Sequence, residues 1–254
     1  MGVRLIALDL DGTVLRDDKS ISAATLDALA KCRKRGMHIA VATARSEKAA
    51  EAYIKQLNPD LVVSNGGALV RAGGRVVHEC KLPADVAQSI IRELMDARGF
   101  VSMTAELPSG YYATWDPPYT GDYAHTQYSD FRSPLTEDVY KITAELLHAH
   151  EAEAVATRYP ICSMLAFSGE NWYRFAHRDA GKMAGVKAAA AHCAVDLCHV
   201  AAFGDDVNDL DMLRGCGIGV AMGNAVSEVK AAADYICDTN ERDGVAEWLE
   251  RFAL

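Results

Sequence analysis

The sequence predicts an α/β fold: a core with a parallel β-sheet, interrupted by an inserted module of mixed α and β structure. Short apolar segments alternate with segments that carry helix start and stop signals, both early and late in the chain. Strands and helices that alternate at this spacing form βαβ units and therefore a parallel sheet. The alternation breaks down between residues 83 and 178. We therefore expect a core formed by residues 1–82 and 179–254, and an α+β cap domain inserted at 83–178.

The first part of the core begins with a short apolar run at residues 5–8. Ser22 is a typical N-cap for a helix that Gly36 ends, and Ser46 is the expected N-cap of a second helix. The glycine pair at residues 73–74 indicates a hairpin between residues 68 and 82. Further strands are expected at residues 37–42 and 61–63, and the two helices are expected to end at about residues 35 and 56.

The inserted module differs in character, because β-rich segments follow one clear helical pattern at residues 85–98. Residues 139–147 fit a strand and a helix equally well. Strands are expected at residues 101–105, 111–115, 163–167 and 172–177, the last two around a turn at residues 168–170. A group of aromatic residues is more typical of the buried centre of this module than of a binding pocket, although one or two of its rings are expected to face the functional site. Its members are Tyr111, Tyr112, Trp115, Tyr119, Tyr123 and Tyr128.

The alternation resumes at Ala180 with an alanine-rich helix that carries Lys182. A strand at residues 200–203 follows and ends in the acidic segment 204–209 (GDDVND). The glycine-rich segment 215–219 precedes a strand instead of following one, so it is interpreted as a turn and not as a dinucleotide-binding loop. The remaining elements are expected to be a helix to residue 214, a strand at 218–221, a helix from 225, a strand at 235–237 and a helix from 243.

The composition excludes several classes of partner. The chain has 254 residues and a formal net charge of −9, which argues against nucleic acid or an anionic membrane as the main partner. No apolar run approaches the roughly 18 residues of a membrane span, and the N-terminus lacks a signal-peptide pattern. The seven cysteines are scattered, without a Cys-x-x-Cys pair, and their spacing does not indicate a zinc site. We therefore expect a cytoplasmic protein with reduced thiols; its oligomeric state stays open.

Two aspartates stand at the end of the first apolar run. Because residues two apart in a strand share a face, Asp9 and Asp11 are expected to point the same way where the strand ends. Gly12 allows a sharp turn there, and the strand ends of open α/β sheets are where ligands bind. Two adjacent carboxylates are costly unless a cation or a shared proton relieves them. An acidic loop after an edge strand is the alternative interpretation of the pair alone.

Other core elements carry polar residues in corresponding positions: Thr43, Lys182, and the acids Asp205 and Asp209. A hydroxyl, an ammonium group and several carboxylates are thus expected to converge on one edge of the sheet. Carboxylates in oxygen-rich surroundings suit Mg²⁺, and the same cation neutralises a phosphate so that a carboxylate can approach it. A carboxylate can then attack phosphorus and form an aspartyl phosphate.

These segments resemble the four motifs of the haloacid dehalogenase-like (HAD) phosphatase superfamily. The matching residues are segment 9–13 (DLDGT), Thr43 after an apolar strand, Lys182, and Gly204-Asp205-x-x-Asn208-Asp209. The long insertion between the second and third motifs, together with segments 64–66 (SNG) and 221–225 (AMGNA), resembles the Cof-type branch, subfamily IIB, with its C2 cap. The resemblance implies a HAD-like Rossmannoid core, and it covers that core fully and the cap more loosely.

The resemblance implies a role for each matching position. Asp9 is expected to be the nucleophile and a Mg²⁺ ligand. Asp11 is expected to be the general acid/base and to give its backbone carbonyl to the metal. Thr43 and Lys182 are expected to bind the phosphoryl group. Ala44 stands beside them where the family commonly has glycine, and its methyl group is expected to crowd the phosphate only slightly.

The fourth motif supplies the rest of the expected site. The resemblance implies that Asp205 is the third protein ligand of Mg²⁺ and that Asp209 supports the metal shell. Asn208 is expected to contact the substrate phosphate. Asp206 adds a second acid next to Asp205, and we expect that it is not a direct ligand.

The leading hypothesis is therefore a Mg²⁺-dependent phosphatase that acts on a small phosphorylated metabolite, such as a sugar phosphate or a phosphorylated cofactor. A sugar phosphomutase of the same superfamily is an alternative. A receiver-like signalling domain or a non-catalytic phosphate-binding protein is a further alternative from another class. The inserted module and the second aspartate at Asp11 argue against the receiver. Arg45 is expected to pair with a nearby acid and to have a structural role.

Overall fold

The computed structural model describes residues 2–116, 124–167 and 169–254. Tyr119 and Tyr123 of the aromatic group, and Ser168 of the predicted turn, lie outside the described residues. The strands are β1 Leu5–Leu8, β2 His38–Ala42, β3 Leu61–Ser64, β4 Leu69–Ala72, β5 Arg75–Glu79, β6 Phe100–Leu107, β7 Gly110–Ala113, β8 Gln127–Tyr128, β9 Lys141–Leu146, β10 Cys162–Ala166, β11 Trp172–His177, β12 Val200–Gly204, β13 Ile218–Ala221 and β14 Tyr235–Ile236. The α-helices are α1 Ala23–Lys34, α2 Glu51–Leu57, α3 Ala84–Met95, α4 Ala149–Arg158, α5 Lys182–His192, α6 Leu210–Gly215, α7 Ser227–Ala232 and α8 Gly244–Phe252.

The chain divides into two compact units. The first consists of Met1–Glu79 and Gly181–Leu254, and the second of Cys80–Ala180. No helix within the described ranges is both long and apolar enough to cross a membrane.

The sheet of the first unit has the strand order β14-β13-β12-β1-β2-β3-β4-β5. Strands β14 to β3 run parallel, and the hairpin of β4 and β5 adds an antiparallel edge. All four residues of β1 are buried, as expected for a parallel strand that is covered on both faces. The register places Leu8 beside both Phe203 and Val41. Strands β1, β2 and β12 therefore end at the same edge, and the residues that follow them are brought together there.

The predicted alternation of strands and helices is confirmed, and the cap of α1 is as expected. The Ser22 hydroxyl accepts a hydrogen bond from the amide of Thr25 at 3.0 Å. The second helix differs from its prediction. Ser46 caps only a turn, in which its hydroxyl accepts from the amide of Ala49 at 3.1 Å. Helix α2 begins five residues after Ser46, at Glu51.

The second unit contains a sheet with the order β10-β11-β9-β6-β7-β8. The ambiguous residues 139–147 contribute β9, which pairs with β6 on one side and β11 on the other. Because β9 pairs on both sides, this segment forms a strand and not a helix, which the residue pattern alone did not decide. We did not predict helix α4. Many of its residues face the surface, so the periodic pattern of apolar residues that indicates a helix is weak there. Side chains of α3 and α4 form an apolar cluster with one face of this sheet.

Candidate active site

Lys182 lies at the centre of a buried cluster in the first unit. Its ammonium group donates hydrogen bonds of 2.6 Å to Asp9 Oδ1 and of 2.6 Å to Asp209 Oδ1. The three side chains are only 3%, 8% and 1% exposed, respectively. Burial alone would lower the pKa of Lys182, but the two carboxylates outweigh it and raise that pKa above its ordinary value. The two carboxylates therefore favour the charged form of Lys182, although its side chain is almost completely buried.

Three carboxylates meet beside this lysine. Oxygen atoms of Asp9, Asp205 and Asp209 all lie within 4.8 Å of one another. Burial and the neighbouring acid Asp209 raise the pKa of Asp205 to about 7. Burial also raises the pKa of Asp9 well above its usual range, against the opposing charge of Lys182. The single positive charge of Lys182 thus does not balance the negative charges of three clustered carboxylates.

The donor set of this cluster fits a divalent metal ion. It offers only oxygen atoms, which are the ligands that hard cations such as Mg²⁺ prefer. A cation here offsets both the burial and the mutual repulsion that raise the pKa of Asp9 and Asp205, so all three acids can be ionised together. The observed cluster therefore has the composition and the charge imbalance of a metal site.

Hydrogen bonds fix each acid of the cluster. The hydroxyl of Thr13 donates to Asp205 Oδ1 at 2.9 Å. Asp209 Oδ2 accepts from the backbone amides of Asp205 and Asp206 at 3.0 and 3.2 Å. This arrangement leaves no room next to Asp209: a Cβ at Gly204 would lie 2.4 Å from its Cβ. Gly204, the glycine of the fourth motif, is thus required because Asp209 lies too close to its Cα to leave room for a side chain.

Asp11 is not directed into this cluster. The guanidinium of Arg45 donates to it twice, from Nε to Oδ2 at 2.7 Å and from Nη2 to Oδ1 at 2.8 Å. The ammonium of Lys19 adds a bond of 2.9 Å. Burial by itself would raise the pKa of Asp11, but these two cations outweigh it and lower the pKa to about 2.

The expectation that Asp9 and Asp11 share a direction therefore needs correction. Strand β1 ends at Leu8, so the two-residue alternation does not extend through the aspartates. Asp9 bonds to Lys182, whereas Asp11 bonds to Arg45. The expectation that Arg45 pairs with a nearby acid is confirmed.

The remaining predicted residues lie on the loops at the same sheet edge. Thr43 is buried, directly follows β2, and its hydroxyl accepts from the amide of Arg45 at 3.1 Å. Ala44 is half-buried beside it. Asn208 is half-buried on the 3-10 turn Val207–Asp209. Their contacts to a phosphoryl group stay predictions.

Two asparagines that we did not predict as site residues support the loop after β1. Asn224 donates from Nδ2 to the carbonyl oxygen of Gly12 at 2.8 Å, and its Oδ1 accepts from the amide of Asn240 at 3.1 Å. Asn240 in turn donates to the carbonyl of Leu15 at 3.0 Å and to Asp17 Oδ1 at 3.2 Å. Asn224 belongs to the AMGNA segment that carried part of the resemblance. No local pattern distinguishes Asn240.

Comparison with known proteins agrees with this fold. The family of haloacid dehalogenase-like hydrolases matches residues 6–249. The chain therefore belongs to the haloacid dehalogenase-like hydrolase family. Within that family it is a phosphatase, the activity that several of its curated relatives carry in their names.

One relative is the 5-amino-6-(5-phospho-D-ribitylamino)uracil phosphatase YitU of Bacillus subtilis (strain 168), which is 31% identical over 98% of this chain and 97% of the relative. Another is the HMP-PP phosphatase of Shigella flexneri, which is 28% identical over 92% of this chain and 89% of the relative.

Solved structures show the same fold. A HAD subclass IIB sugar phosphatase superposes with a TM-score of 0.85 over 99% of both chains, at 23% identity. A haloacid dehalogenase-like hydrolase from B. subtilis superposes with a TM-score of 0.87 over 98% of this chain and 100% of the other, at 24% identity. The predicted α/β core with an inserted α+β domain is thereby confirmed as a fold.

Proposed function

We propose that this protein is a Mg²⁺-dependent phosphomonoester hydrolase that acts on a small phosphorylated metabolite through an aspartyl phosphate at Asp9. The observation that carries the proposal is the buried contact of Asp9 with Lys182, next to Asp205 and Asp209. The contact supports the proposal because a carboxylate that can attack, a positive charge and oxygens that suit a cation lie together in one enclosed space. A relative acts on a phosphate ester of a ribitylamino-substituted uracil, which supports sugar-like and cofactor-like phosphates as the substrate class.

In the first step a carboxylate oxygen of Asp9 attacks phosphorus, and the bond from phosphorus to the leaving oxygen breaks. Lys182 holds Asp9 in place and supplies positive charge for the oxygens of the phosphoryl group. The hydroxyl of Thr43 donates a hydrogen bond to one of these oxygens, and Asn208 contacts another. Asp9, Asp205 and the backbone carbonyl of Asp11 would hold a divalent cation, which would supply positive charge to neutralise the phosphate ester.

Asp11 moves the protons in both steps. It gives a proton to the leaving oxygen, then takes one from the water that attacks the aspartyl phosphate, which releases phosphate and restores Asp9. The Arg45 contact keeps Asp11 ionised. Asp11 must therefore leave that contact before it can serve as an acid, and the paired arrangement corresponds to a resting state.

The proposal is tested by phosphate release from a panel of phosphorylated metabolites, with Mg²⁺ and with a chelator. The panel contains ribose 5-phosphate, glucose 6-phosphate, flavin mononucleotide and 5-amino-6-(5-phospho-D-ribitylamino)uracil. We expect release that depends on Mg²⁺ and favours a few related compounds. Asp9→Asn removes the nucleophile with little change of shape, so turnover should fall by at least about a thousandfold.

Asp206→Asn is the matched control, because it changes the neighbouring acid that we do not expect to be a ligand. Its activity should stay within about threefold of the unchanged enzyme, and thermal melting should show that both variants are folded. Turnover that survives in Asp9→Asn, or that persists fully in chelator, contradicts the mechanism.

A further inference from the structure

A short turn at Asn65–Gly67 follows β3 in the first unit, and two backbone hydrogen bonds attach it to the loop after β2. The amide of Gly66 donates to the carbonyl oxygen of Thr43 at 2.9 Å, and the amide of Asn65 donates to that of Arg45 at 2.8 Å. We call residues 65–67 the β3 turn. Its two bonds fix the backbone of the loop that carries the Thr43 hydroxyl.

The other side of the β3 turn lies against the start of α5, in the same unit. A Cβ at Gly67 would lie 1.9 Å from the carbonyl oxygen of Gly181 and 2.9 Å from the amide nitrogen of Lys182. On the helix, a Cβ at Gly185 would lie 3.2 Å from the Cα of Gly67 and 2.3 Å from Cγ1 of Val63. Helix α5 therefore approaches the turn so closely that neither glycine can carry a side chain unless the helix or the turn shifts.

The backbone of the β3 turn is unusual, because all three of its residues have a positive φ: +54° at Asn65, +66° at Gly66 and +102° at Gly67. Asparagine adopts this conformation more often than most residues, but glycine adopts it at no steric cost. Asn65 is also buried, and its Oδ1 accepts no hydrogen bond from any described residue. Backbone strain of this kind persists where the surroundings enforce it, and it is concentrated at functional sites.

The β3 turn lies between the two groups that are expected to bind the phosphoryl group. One is the Thr43 hydroxyl on the loop after β2, and the other is the ammonium group of Lys182, the first residue of α5. These groups come from distant parts of the chain, so the element packed between them determines how far apart they are. That distance matters, because a misplacement of about 1 Å can lower a rate about a hundredfold.

We propose that the β3 turn is a positioning element that sets the distance between Thr43 and Lys182, with Gly67 as the residue that its close approach to α5 requires. This inference rests on the proposed phosphatase function, because it takes both groups to bind the phosphoryl group. The turn then determines the affinity for phosphate itself, whatever the organic part of the substrate is. A change at Gly67 should therefore affect inorganic phosphate and all phosphomonoesters alike.

The test uses Gly67→Ala and inorganic phosphate as the probe. The new methyl group collides with the carbonyl of Gly181, so α5 and the turn must move apart, and Lys182 moves away from Thr43. We expect the constant for competitive inhibition by phosphate to rise at least about tenfold, and kcat/KM for ribose 5-phosphate and for p-nitrophenyl phosphate to fall by similar factors. A smaller folded fraction lowers the measured rate but does not change an inhibition constant, so this constant distinguishes positioning from destabilisation.

Gly73→Ala is the matched control in the same unit. Gly73 has a φ of +53°, but a Cβ there meets nothing within 4 Å. This variant introduces backbone strain without a collision, so its inhibition constant should stay within about twofold of the unchanged value. A Gly67→Ala enzyme that phosphate inhibits as strongly as it inhibits the unchanged enzyme overturns the inference.

Gly185→Ala tests the same contact from the helix and keeps the inference testable if Gly67→Ala does not fold. Alanine has a higher helix propensity than glycine, so a weaker helix cannot explain a loss. The Cβ collides with Val63 and moves α5 away from the turn, which should raise the inhibition constant at least about fivefold. Adding Val63→Ala makes room for the methyl group and should recover most of this loss, relative to Val63→Ala alone.

Two results from the helix variants overturn the inference: phosphate inhibition that Gly185→Ala leaves unchanged, or a loss that the double variant does not recover. An unchanged enzyme that releases phosphate from neither ester with Mg²⁺ contradicts the proposed function itself, which is a distinct result.

Discussion

Gly12 is needed both for the backbone conformation of the loop after β1 and for the close approach of that loop to Asp205. Its φ of +72° lies in the left-handed region that favours glycine. A Cβ at this position would also lie 2.2 Å from Asp205 Oδ2. The loop after β1 can therefore approach the carboxylate cluster only because this residue has no side chain.

We predict that Gly12→Ala impairs catalysis through the displacement of Asp205. The left-handed conformation costs an alanine about 1–2 kcal/mol of stability, and the clash moves a proposed metal ligand. Turnover should fall at least tenfold, and more Mg²⁺ should be needed for half-maximal activity. Both quantities are measured by phosphate release, with the free energy of unfolding from denaturant titration.

Gly74→Ala is the control that distinguishes the effect of backbone strain from the effect of the clash with Asp205. Gly74 has a similar φ of +79°, but a Cβ there meets nothing within 4 Å. This control should lose comparable stability and keep full activity. If Gly12→Ala behaves like Gly74→Ala, the close approach to Asp205 has no catalytic consequence.

At the scale of single residues, the sequence was sufficient to single out candidate site residues but not to predict which side chains they contact. Lys182 and Asp209 could be singled out because their types and spacing matched a chemical need. The partner of Asp11 could not be derived from the position of Asp11, since it depends on where β1 ends and on the reach of Arg45. A long flexible side chain finds its partner in three dimensions, and sequence distance contains little information about that.

At the scale of elements, the segment after β13 and the segment before α8 hold the loop after β1. The contacts run from Asn240 through Asn224 to the carbonyl of Gly12. Asn240 is 7% exposed and also reaches Leu15. The C-terminal elements therefore fix both ends of the turn that follows the proposed nucleophile.

We predict that Asn224→Asp weakens catalysis with little loss of stability. Aspartate keeps an acceptor for the amide of Asn240, but it cannot donate to Gly12 and places a negative charge beside that carbonyl. Because Asn224 is exposed, the free energy of unfolding should change by less than about 1 kcal/mol. The kcat/KM with Mg²⁺ should fall about tenfold, since the loop that carries Asp9 and Asp11 is no longer fixed.

Asn240→Ala provides the contrast, because it removes one buried and one partly buried hydrogen bond. It should lower the free energy of unfolding by about 1–3 kcal/mol, as measured by denaturant titration. An Asn224→Asp enzyme with unchanged kcat/KM shows that the Gly12 contact does not position the loop.

Elements were predictable where a pattern and a boundary signal coincided. Strand β12 and helix α1 have both. The failures share one cause, since local signals compete with contacts that the sequence does not display. Ser46 has the chemistry of an N-cap, yet it caps a turn, and α4 became visible only through its packing on the sheet of the second unit.

At the scale of the whole molecule, the site depends on contacts between distant parts of the chain. The bond from Lys182 to Asp9 spans 173 residues of sequence. The order of strands in a parallel sheet, with β12 beside β1, is what brings them together. The fold class and its strand-end chemistry followed from the alternation of elements, whereas the charge balance of the assembled cluster required coordinates. That balance makes the stability of the protein depend on pH and on metal together.

We predict that the metal-free protein loses thermal stability as the pH rises from about 4 to about 7. The folded-state pKa of Asp205 is raised to about 7, and that of Asp9 is also raised. A carboxyl whose pKa is higher in the folded state binds protons preferentially there. Its stabilising contribution is complete below the unfolded-state pKa and disappears as the pH rises through the folded-state value.

Mg²⁺ should reverse this loss, because it binds the ionised carboxylates and competes with protons. The increase in melting temperature that Mg²⁺ produces, measured against potassium chloride of equal ionic strength, should therefore be small at pH 5 and large at pH 8. Asp205→Asn should weaken both the pH dependence and the Mg²⁺ effect, since it removes one of the two titrating groups together with a proposed ligand. An equal increase at pH 5 and pH 8 contradicts the coupling, because it means that the cation binds away from the carboxylates whose pKa is raised.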